Sequence, residues 1–263
     1  MGLGTAEYLS SLFGLPGDVA LVTGGGGGLG RAFSLGLARA GAAVVVGDLD
    51  GAAAASVANA IHASGGRALA VSMDVRAAES VEATVALAVR EFGRVDILVN
   101  NAGINVRKGT EEITREEWDR VMGVNIDGVF ICSQVVGRRM IAQGGGRIIN
   151  IASIMGFVGG PLYPAPAYHA SKGAVVNFTR ALAVEWAKHN IRVNGIAPTF
   201  IRTDLTAPML DSGDHAKIIK ELTPMGKIGE PDDLVGGLLY LASKASSLVT
   251  GHTLVIDAGW LAR

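Results

Sequence analysis

The chain has 263 residues, 49% of them hydrophobic and 18% charged, which is enough for one substantial core in a single α/β domain. Its formal net charge of -1, without any basic run, offers no electrostatic attraction to nucleic acid. One cysteine, Cys132, excludes an internal disulfide framework, and the five histidines (His62, His169, His189, His215, His252) form neither an HExxH pair nor a Cys/His cluster, so no catalytic metal is expected.

From the N-terminus, residues 1–16 read as an extension whose stretch 9–15 packs on the domain surface. It lacks a basic n-region, and no apolar run approaches the ~18 residues of a membrane span, so no membrane partner and a cytoplasmic location are expected. Short apolar runs then recur at 19–23, 43–47, 68–72, 97–99, 147–151, 192–196 and 253–256. Their apolar character on both alternating faces predicts strands covered on both sides. Helical stretches at 31–40, 77–92, 116–142 and 168–188 alternate with them. That order predicts a parallel sheet with right-handed crossovers and ligands beyond the carboxyl ends of the strands. Cys132, in VFICSQVV, reads as a small buried hydrophobe. The Gly/Pro-rich segment 157–167 reads as a loop, not a domain boundary.

The first predicted strand runs into Thr23 and five consecutive glycines, Gly24 to Gly28, followed by Leu29 and Gly30. Residues without Cβ let the backbone approach a pyrophosphate closely, and the following helix offers its N-terminal N–H groups to that anion. The run matches GxGxxG at Gly25, Gly27 and Gly30, a match that five glycines make cheap; a flexible turn is the plain alternative. Asp48 ends VVVGD, one βαβ spacing later, where an acid accepts hydrogen bonds from both adenosine ribose hydroxyls and repels a 2′-phosphate. With no Arg or Lys in the glycine loop, NAD(H) is expected over NADP(H). The structural alternative for Asp48 is a helix cap.

Tyr168 and Lys172 are four apart in YHASK, on one helix face. A nearby ammonium lowers the pKa of a tyrosine toward the range useful for proton transfer. YxxxK alone usually marks a surface pair. Ser153 follows the fifth predicted strand, where it either holds a substrate oxygen or caps a turn. Asn125, in MGVNIDGVF, lies inside an apolar helical stretch and needs a polar partner there.

With these residues together, the sequence resembles the short-chain dehydrogenase/reductase family over 17–262. The resemblance rests on TGGGGGLG (23–30), DV (74–75), NNAG (100–103), Asn125, Ser153, YHASK (168–172), RVNGIAP (192–198) and DAG (257–259). It implies a single doubly wound, Rossmann-type α/β domain over 17–263 with a seven-stranded parallel sheet. It also implies that Gly24, Gly28 and Gly30 form a TGxxxGxG turn, with Leu29 beside them and Leu49 beside Asp48. Asp74 and Val75 would flank the adenine; Asn101, Ala102 and Gly103 would line the cofactor cleft; Pro198, Ile201 and Thr203 would lie along the nicotinamide. Asn125, Ser153, Tyr168 and Lys172 would be the catalytic set. In it Tyr168 exchanges the proton and Ser153 orients the substrate oxygen. Lys172 lowers the Tyr168 pKa and binds the nicotinamide ribose, and Asn125 positions a water. A homotetramer is implied as well. Two departures stand out: Thr199 replaces the glycine usual after Pro198, and the loop between Ser153 and Tyr168 is longer than usual, with Tyr163 and three prolines.

The segment 199–229 is expected to cover the substrate as a lid. The finer resemblance is to gluconate 5-dehydrogenase-like enzymes and sugar or polyol dehydrogenases, carried by GLPGDVALVTG, AVEWAKHNIRVNGIAP and SKASSLVTGHTLVIDAG. It points to a small-molecule substrate with many hydroxyls; for a sugar acid, Arg107, Lys108 or Arg202 is a candidate for the carboxylate, the plain alternative for each being a solvated side chain. Tyr163 is a candidate pocket wall. The competing readings are a 3-oxoacyl-carrier-protein reductase or another secondary-alcohol dehydrogenase, and a non-catalytic NAD-sensing protein.

Overall fold

Aliphatic side chains fill all seven apolar runs, and each forms a strand: β1 (Val19–Thr23), β2 (Ala43–Asp48), β3 (Ala68–Ser72), β4 (Ile97–Asn100), β5 (Gly146–Ile151), β6 (Ile191–Pro198) and β7 (Thr253–Ile256). This is a computed structural model, and it describes residues 4–160 and 162–263. The first three residues of the extension and residue 161 of the proline-rich loop lie outside the described residues. The strands form one parallel sheet in the order β3-β2-β1-β4-β5-β6-β7, the doubly wound arrangement. The order reverses between β1 and β4, which opens a crevice at their carboxyl ends.

The helices in chain order are α1 (Thr5–Phe13), α2 (Gly28–Arg39), α3 (Gly51–Ala63), α4 (Ala78–Phe92), α5 (Arg115–Met122), α6 (Gly128–Ala142), α7 (Pro166–Trp186), α8 (Ala207–Leu210), α9 (His215–Leu222) and α10 (Val235–Ala242). They cover both sheet faces. Phe33, Leu37, Ile61 and Leu238 pack on one face; Val85, Cys132, Met140 and Leu182 pack on the other. Cys132 is fully buried, and that burial pushes its thiol up to about 12, as befits a small core hydrophobe. Among the described residues no helix is long and apolar enough to cross a membrane.

Two local expectations are corrected. The segment 9–15 is not a lone surface patch: its first part belongs to α1, whose Tyr8 and Leu9 are exposed, and Leu15 enters the core. The expected helix over 116–142 is broken by a π-helical turn, Gly123–Asp127, closed by a bond from the Gly128 N–H to the Gly123 carbonyl. One residue inserted into a helical turn hardly alters apolar periodicity, so the pattern of hydrophobics does not reveal it.

Candidate active site

A cleft of about 660 Å³ lies along the carboxyl ends of the strands. It takes in nearly every residue expected at a site: Gly24, Gly28, Leu29, Asp48, Leu49, Asp74, Val75, Asn101, Ala102, Gly103, Ser153, Tyr168, Lys172, Pro198, Ile201 and Thr203 all line it. Gly30 and Asn125 sit behind its wall. Strands β2, β4 and β6 end on Asp48, Asn100 and Pro198, so the sheet itself delivers three of these positions or their neighbours to the rim.

The five-glycine run has one structural register. Gly24 and Gly28 take left-handed φ values of 60° and 48°, whereas Gly27 is extended at -146°. The turn therefore follows TGxxxGxG, not the GxGxxG match at Gly25, Gly27 and Gly30. At Gly30 a Cβ would run into the Gly24 carbonyl oxygen and lie 2.7 Å from Asn101 Nδ2. Asn101 Nδ2 donates to the carbonyls of Thr23 and Gly24 at 3.0 and 2.9 Å, tying the glycine turn to the end of β4. Thr23 Oγ1 accepts from the N–H groups of Asn101 and Ala102, both at 3.0 Å. Thr23 was not singled out in the sequence, although TG opens the motif. Gly27 brings no side chain to cap α2, so the first N–H groups of that helix are left for an anion. A turn with no room for Cβ and an uncapped helix end fit a dinucleotide pyrophosphate.

Asp48 spans this turn and the next. Its Oδ2 accepts from Gly26 N–H at 2.9 Å and its Oδ1 from Asp50 N–H at 3.0 Å. The helix cap is Asp50, which accepts from the N–H groups of Ala52 and Ala53. Asp74 forms a two-point pair with Arg76, at 3.0 and 2.7 Å, and that guanidinium holds its carboxyl below the usual value. Arg76 on the cleft wall is thus already matched to a carboxylate.

At the other end, Ser153, Tyr168 and Lys172 converge. Ser153 follows β5 and is nearly buried, its Oγ accepting from Met155 N–H at 3.1 Å. Tyr168 and Lys172 share one face of α7; Lys172 Nζ lies 5.7 Å from the centre of the Tyr168 ring and donates to the Ile151 carbonyl at 2.7 Å. Burial pushes the Lys172 ammonium down to about 8. Burial also pushes the Tyr168 phenol up to about 12; the Ser153 hydroxyl and, more weakly, the charge of Arg107 pull it the other way. Against expectation, Lys172 is not among the groups that lower it, and desolvation dominates.

Asn125 sits on the π-helical turn, fully buried. Its Oδ1 accepts from Ile104 N–H at 2.9 Å, and its Nδ2 donates to the Ile104 carbonyl and to Ser171 Oγ, both at 3.0 Å. Ser171 Oγ donates in turn to the Tyr168 carbonyl at 2.8 Å. Asn125 therefore fastens the loop after β4 to the helix that carries Tyr168 and Lys172, with both amide hydrogens engaged and one bond accepted at Oδ1. Ser171 and Ile104 are unmarked in the sequence except by lying near stronger motifs.

A second, small cavity of about 50 Å³ adjoins the cleft, lined by Asn105, Arg107, Tyr163 and Phe200 and sharing Ser153, Tyr168 and Thr199 with it. Of the three basic candidates for a carboxylate, Arg107 lines this cavity, stacked at 5.0 Å over Tyr163 and donating to the Leu205 carbonyl. Lys108 is paired with Glu117 at 2.6 Å and Arg202 with Asp211 at 2.8 Å. Segment 199–229 is drawn together at its ends by pairing of Ile201 with Gly229. Its Met209, Leu210 and Ile219 pack with Ile154, Met155 and Trp260 over this end of the site.

Known proteins share this architecture and these motifs. A family model described as enoyl-(acyl carrier protein) reductase matches residues 25–261. The 2-dehydro-3-deoxy-D-gluconate 5-dehydrogenase of Dickeya dadantii (strain 3937) is 46% identical over 95% of this chain and 98% of its own. A short-chain type dehydrogenase/reductase from Mycobacterium marinum superposes with a TM-score of 0.93 at 40% identity, over 96% of this chain and 99% of that one. A gluconate 5-dehydrogenase from Burkholderia cenocepacia J2315, in complex with NADP and tartrate, gives a TM-score of 0.92 at 38% identity, over 97% and 99%. A glycine turn, a serine after β5 and a Tyr/Lys pair on α7, in a chain that matches these relatives nearly end to end, place it in the short-chain dehydrogenase/reductase family of nicotinamide-dependent oxidoreductases.

Proposed function

We propose that the protein is an NAD(H)-dependent dehydrogenase acting on a secondary alcohol of a sugar acid, sugar or polyol, with Asn125, Ser153, Tyr168 and Lys172 as its working set. The observation that carries this reading is that Ser153 and Tyr168 line both the long cleft and the small side cavity. They stand where a cofactor lying along the first would meet a substrate held in the second. When bound, the nicotinamide supplies the hydride acceptor for oxidation or the donor for reduction. The glycine turn, Asn101 to Gly103, and the segment from Pro198 to Thr203 would hold it.

The chain's own residues handle the proton. Ser153 Oγ holds the substrate oxygen, and Tyr168 Oη takes its proton in oxidation or returns it in reduction. With its pKa raised, Tyr168 is a phenol at neutral pH, ready to act as an acid; as a base it depends on positive charge nearby, which Lys172 and Arg107 provide. Asn125 keeps α7 and the loop after β4 in register. Arg107 is the group for a substrate carboxylate, and the names of the Dickeya and Burkholderia relatives support a sugar acid.

Asp48 supports NAD(H): it faces the cleft with its negative charge where a 2′-phosphate would have to lie. The NADP bound to the Burkholderia relative makes this the first point to measure. We further read the protein as a homotetramer, with exposed Phe130, Val184 and Leu248 as contact residues; a monomer in light scattering would overturn that part. The deciding experiment assays purified protein with NAD and NADP in parallel against polyols, sugar acids and an acetoacetyl thioester. Turnover of polyols or sugar acids with NAD is expected. Turnover of the thioester alone, or none at all despite tight NAD binding, refutes the reading.

A further inference from the structure

Two polar atoms at the small cavity have no partner. Asn105 Oδ1 and Thr199 Oγ1 are both buried from solvent and both lack a hydrogen bond. Buried side-chain acceptors and hydroxyls are nearly always bonded, so two orphans on one cavity call for a ligand. Their setting sharpens the point. Around them the wall combines the apolar and aromatic Ile154, Met155 and Phe200 with Arg107, Ser153 and Thr206. Thr199 is one of the chain's departures from its family's pattern, a side chain where glycine is usual. It lines the cleft and the cavity alike, at their seam with Ser153 and Tyr168.

We propose that Asn105 and Thr199 together bind the substrate hydroxyl on the carbon next to the reacting carbon, and so set selectivity for polyhydric substrates over simple secondary alcohols. The proposal rests on the reading of the protein as a polyol or sugar-acid dehydrogenase. Ser153 and Tyr168 hold the reacting oxygen, so the cavity that begins at them receives the adjacent carbon. A space of about 50 Å³ accommodates a carbon and its hydroxyl and little more. The hydroxyl donates to Asn105 Oδ1 and accepts from Thr199 Oγ1. A substrate lacking that hydroxyl leaves both atoms buried and unpaired, which is how a site built around a hydroxyl rejects the deoxy analogue.

The test compares threitol with butane-1,3-diol, whose secondary alcohol carbon has no hydroxyl on either neighbouring carbon, in the wild type and in Thr199→Val, Thr199→Ser and Asn105→Leu. The quantity read is the ratio of kcat/KM for the two substrates with the same cofactor. Wild type is expected to favour threitol. Thr199→Val and Asn105→Leu should each lower the ratio about tenfold, mainly through the threitol KM, and Thr199→Ser should keep it. Equal losses on both substrates in both variants would mean that the residues only support the fold, and would overturn the proposal alone. A wild type that turns over neither compound nor any sugar acid overturns the polyol reading and the proposal with it. Asn105→Leu carries the test by itself should Thr199→Val fold poorly.

Discussion

Lys172→Met tests the energetics of the site, because the position sets stability against function. Lys172 is 4% exposed, and its single hydrogen bond goes to the Ile151 carbonyl. Burial takes its ammonium from 10.5 to about 8, which corresponds to about 3 kcal/mol in favour of the neutral amine. The unfolded chain keeps this proton up to about pH 10.5, and the folded protein gives it up near 8. Between those values the unfolded state binds more protons, so this group makes the wild type more stable as pH rises, and below 8 the folded protein carries the full cost of a buried charge. Methionine keeps an unbranched stem and removes the charge, but it strips the Ile151 carbonyl of its donor, a loss of about 1–2 kcal/mol. The variant is therefore expected to be more stable than wild type at pH 7 by about 1–2 kcal/mol, or about 3–6 °C in Tm for a chain of this size. By pH 10 that advantage should vanish or reverse. Denaturant melts of the cofactor-free protein at both pH values measure this, with turnover, expected to be lost, followed in parallel. A variant less stable at pH 7, or a difference that does not change between pH 7 and pH 10, refutes the reasoning.

Tyr168→Phe should cut kcat by about 10²–10⁴-fold while the cofactor dissociation constant hardly moves; near-normal kcat would remove Tyr168 from its role. Asp48→Ala should raise kcat/KM with NADP relative to NAD, by about tenfold or more, since it removes the charge that meets a 2′-phosphate; an unchanged ratio would leave Asp48 only its bonds to Gly26 and Asp50. Gly30→Ala should abolish cofactor binding in a titration, because its methyl collides with the Gly24 carbonyl; normal affinity would show that the turn is not the phosphate site. Oxidation should quicken steadily from pH 7 to pH 10, since burial keeps the Tyr168 phenol up to about 12 and deprotonation favours that direction. A rate that is level across that range contradicts proton removal by Tyr168.

The sheet was legible because its signal is strong and repeated: seven aliphatic runs all became strands, with ends shifted by only a residue or two. Those shifts matter chemically, as they carry β2 to Asp48 and β6 to Pro198, the rim of the cleft. The side chains at the site were legible through motif spacing, and the cleft gathers them. Their partners were harder to see. Thr23, Ile104 and Ser171 act through contacts between segments far apart in sequence or through main-chain atoms, which no residue pattern reports. The glycine register was ambiguous for a related reason: five identical residues carry no phase, and only backbone dihedrals at Gly24 and Gly28 supply it.

Two of the places where local sequence rules fail, the π-helical turn and the balance of charges at Tyr168, belong to the site. A regular helix over 116–142 would place Asn125 about 100° away around the axis relative to everything after it. The inserted residue instead lets Asn125 meet Ile104 and Ser171 at once while α6 still packs Cys132 and Met140 into the core. Three hydrogen bonds at one amide hold this turn in place. Similarly, YxxxK suggests a lysine that simply acidifies a tyrosine, yet burial raises the tyrosine and lowers the lysine, so each starts closer to neutral than in water. At pH 7 the phenol is neutral while the lysine still carries its charge, so the positive charge is in place beside the proton to be moved. Burial of α7 against β5 and the loop after β4 is therefore part of the chemistry and not only of the fold. Asn125→Ala should accordingly lower kcat and Tm together, and Asn125→Asp, which keeps the acceptor for Ile104 N–H but sets a buried carboxylate oxygen against the Ile104 carbonyl, should lower Tm further than alanine does.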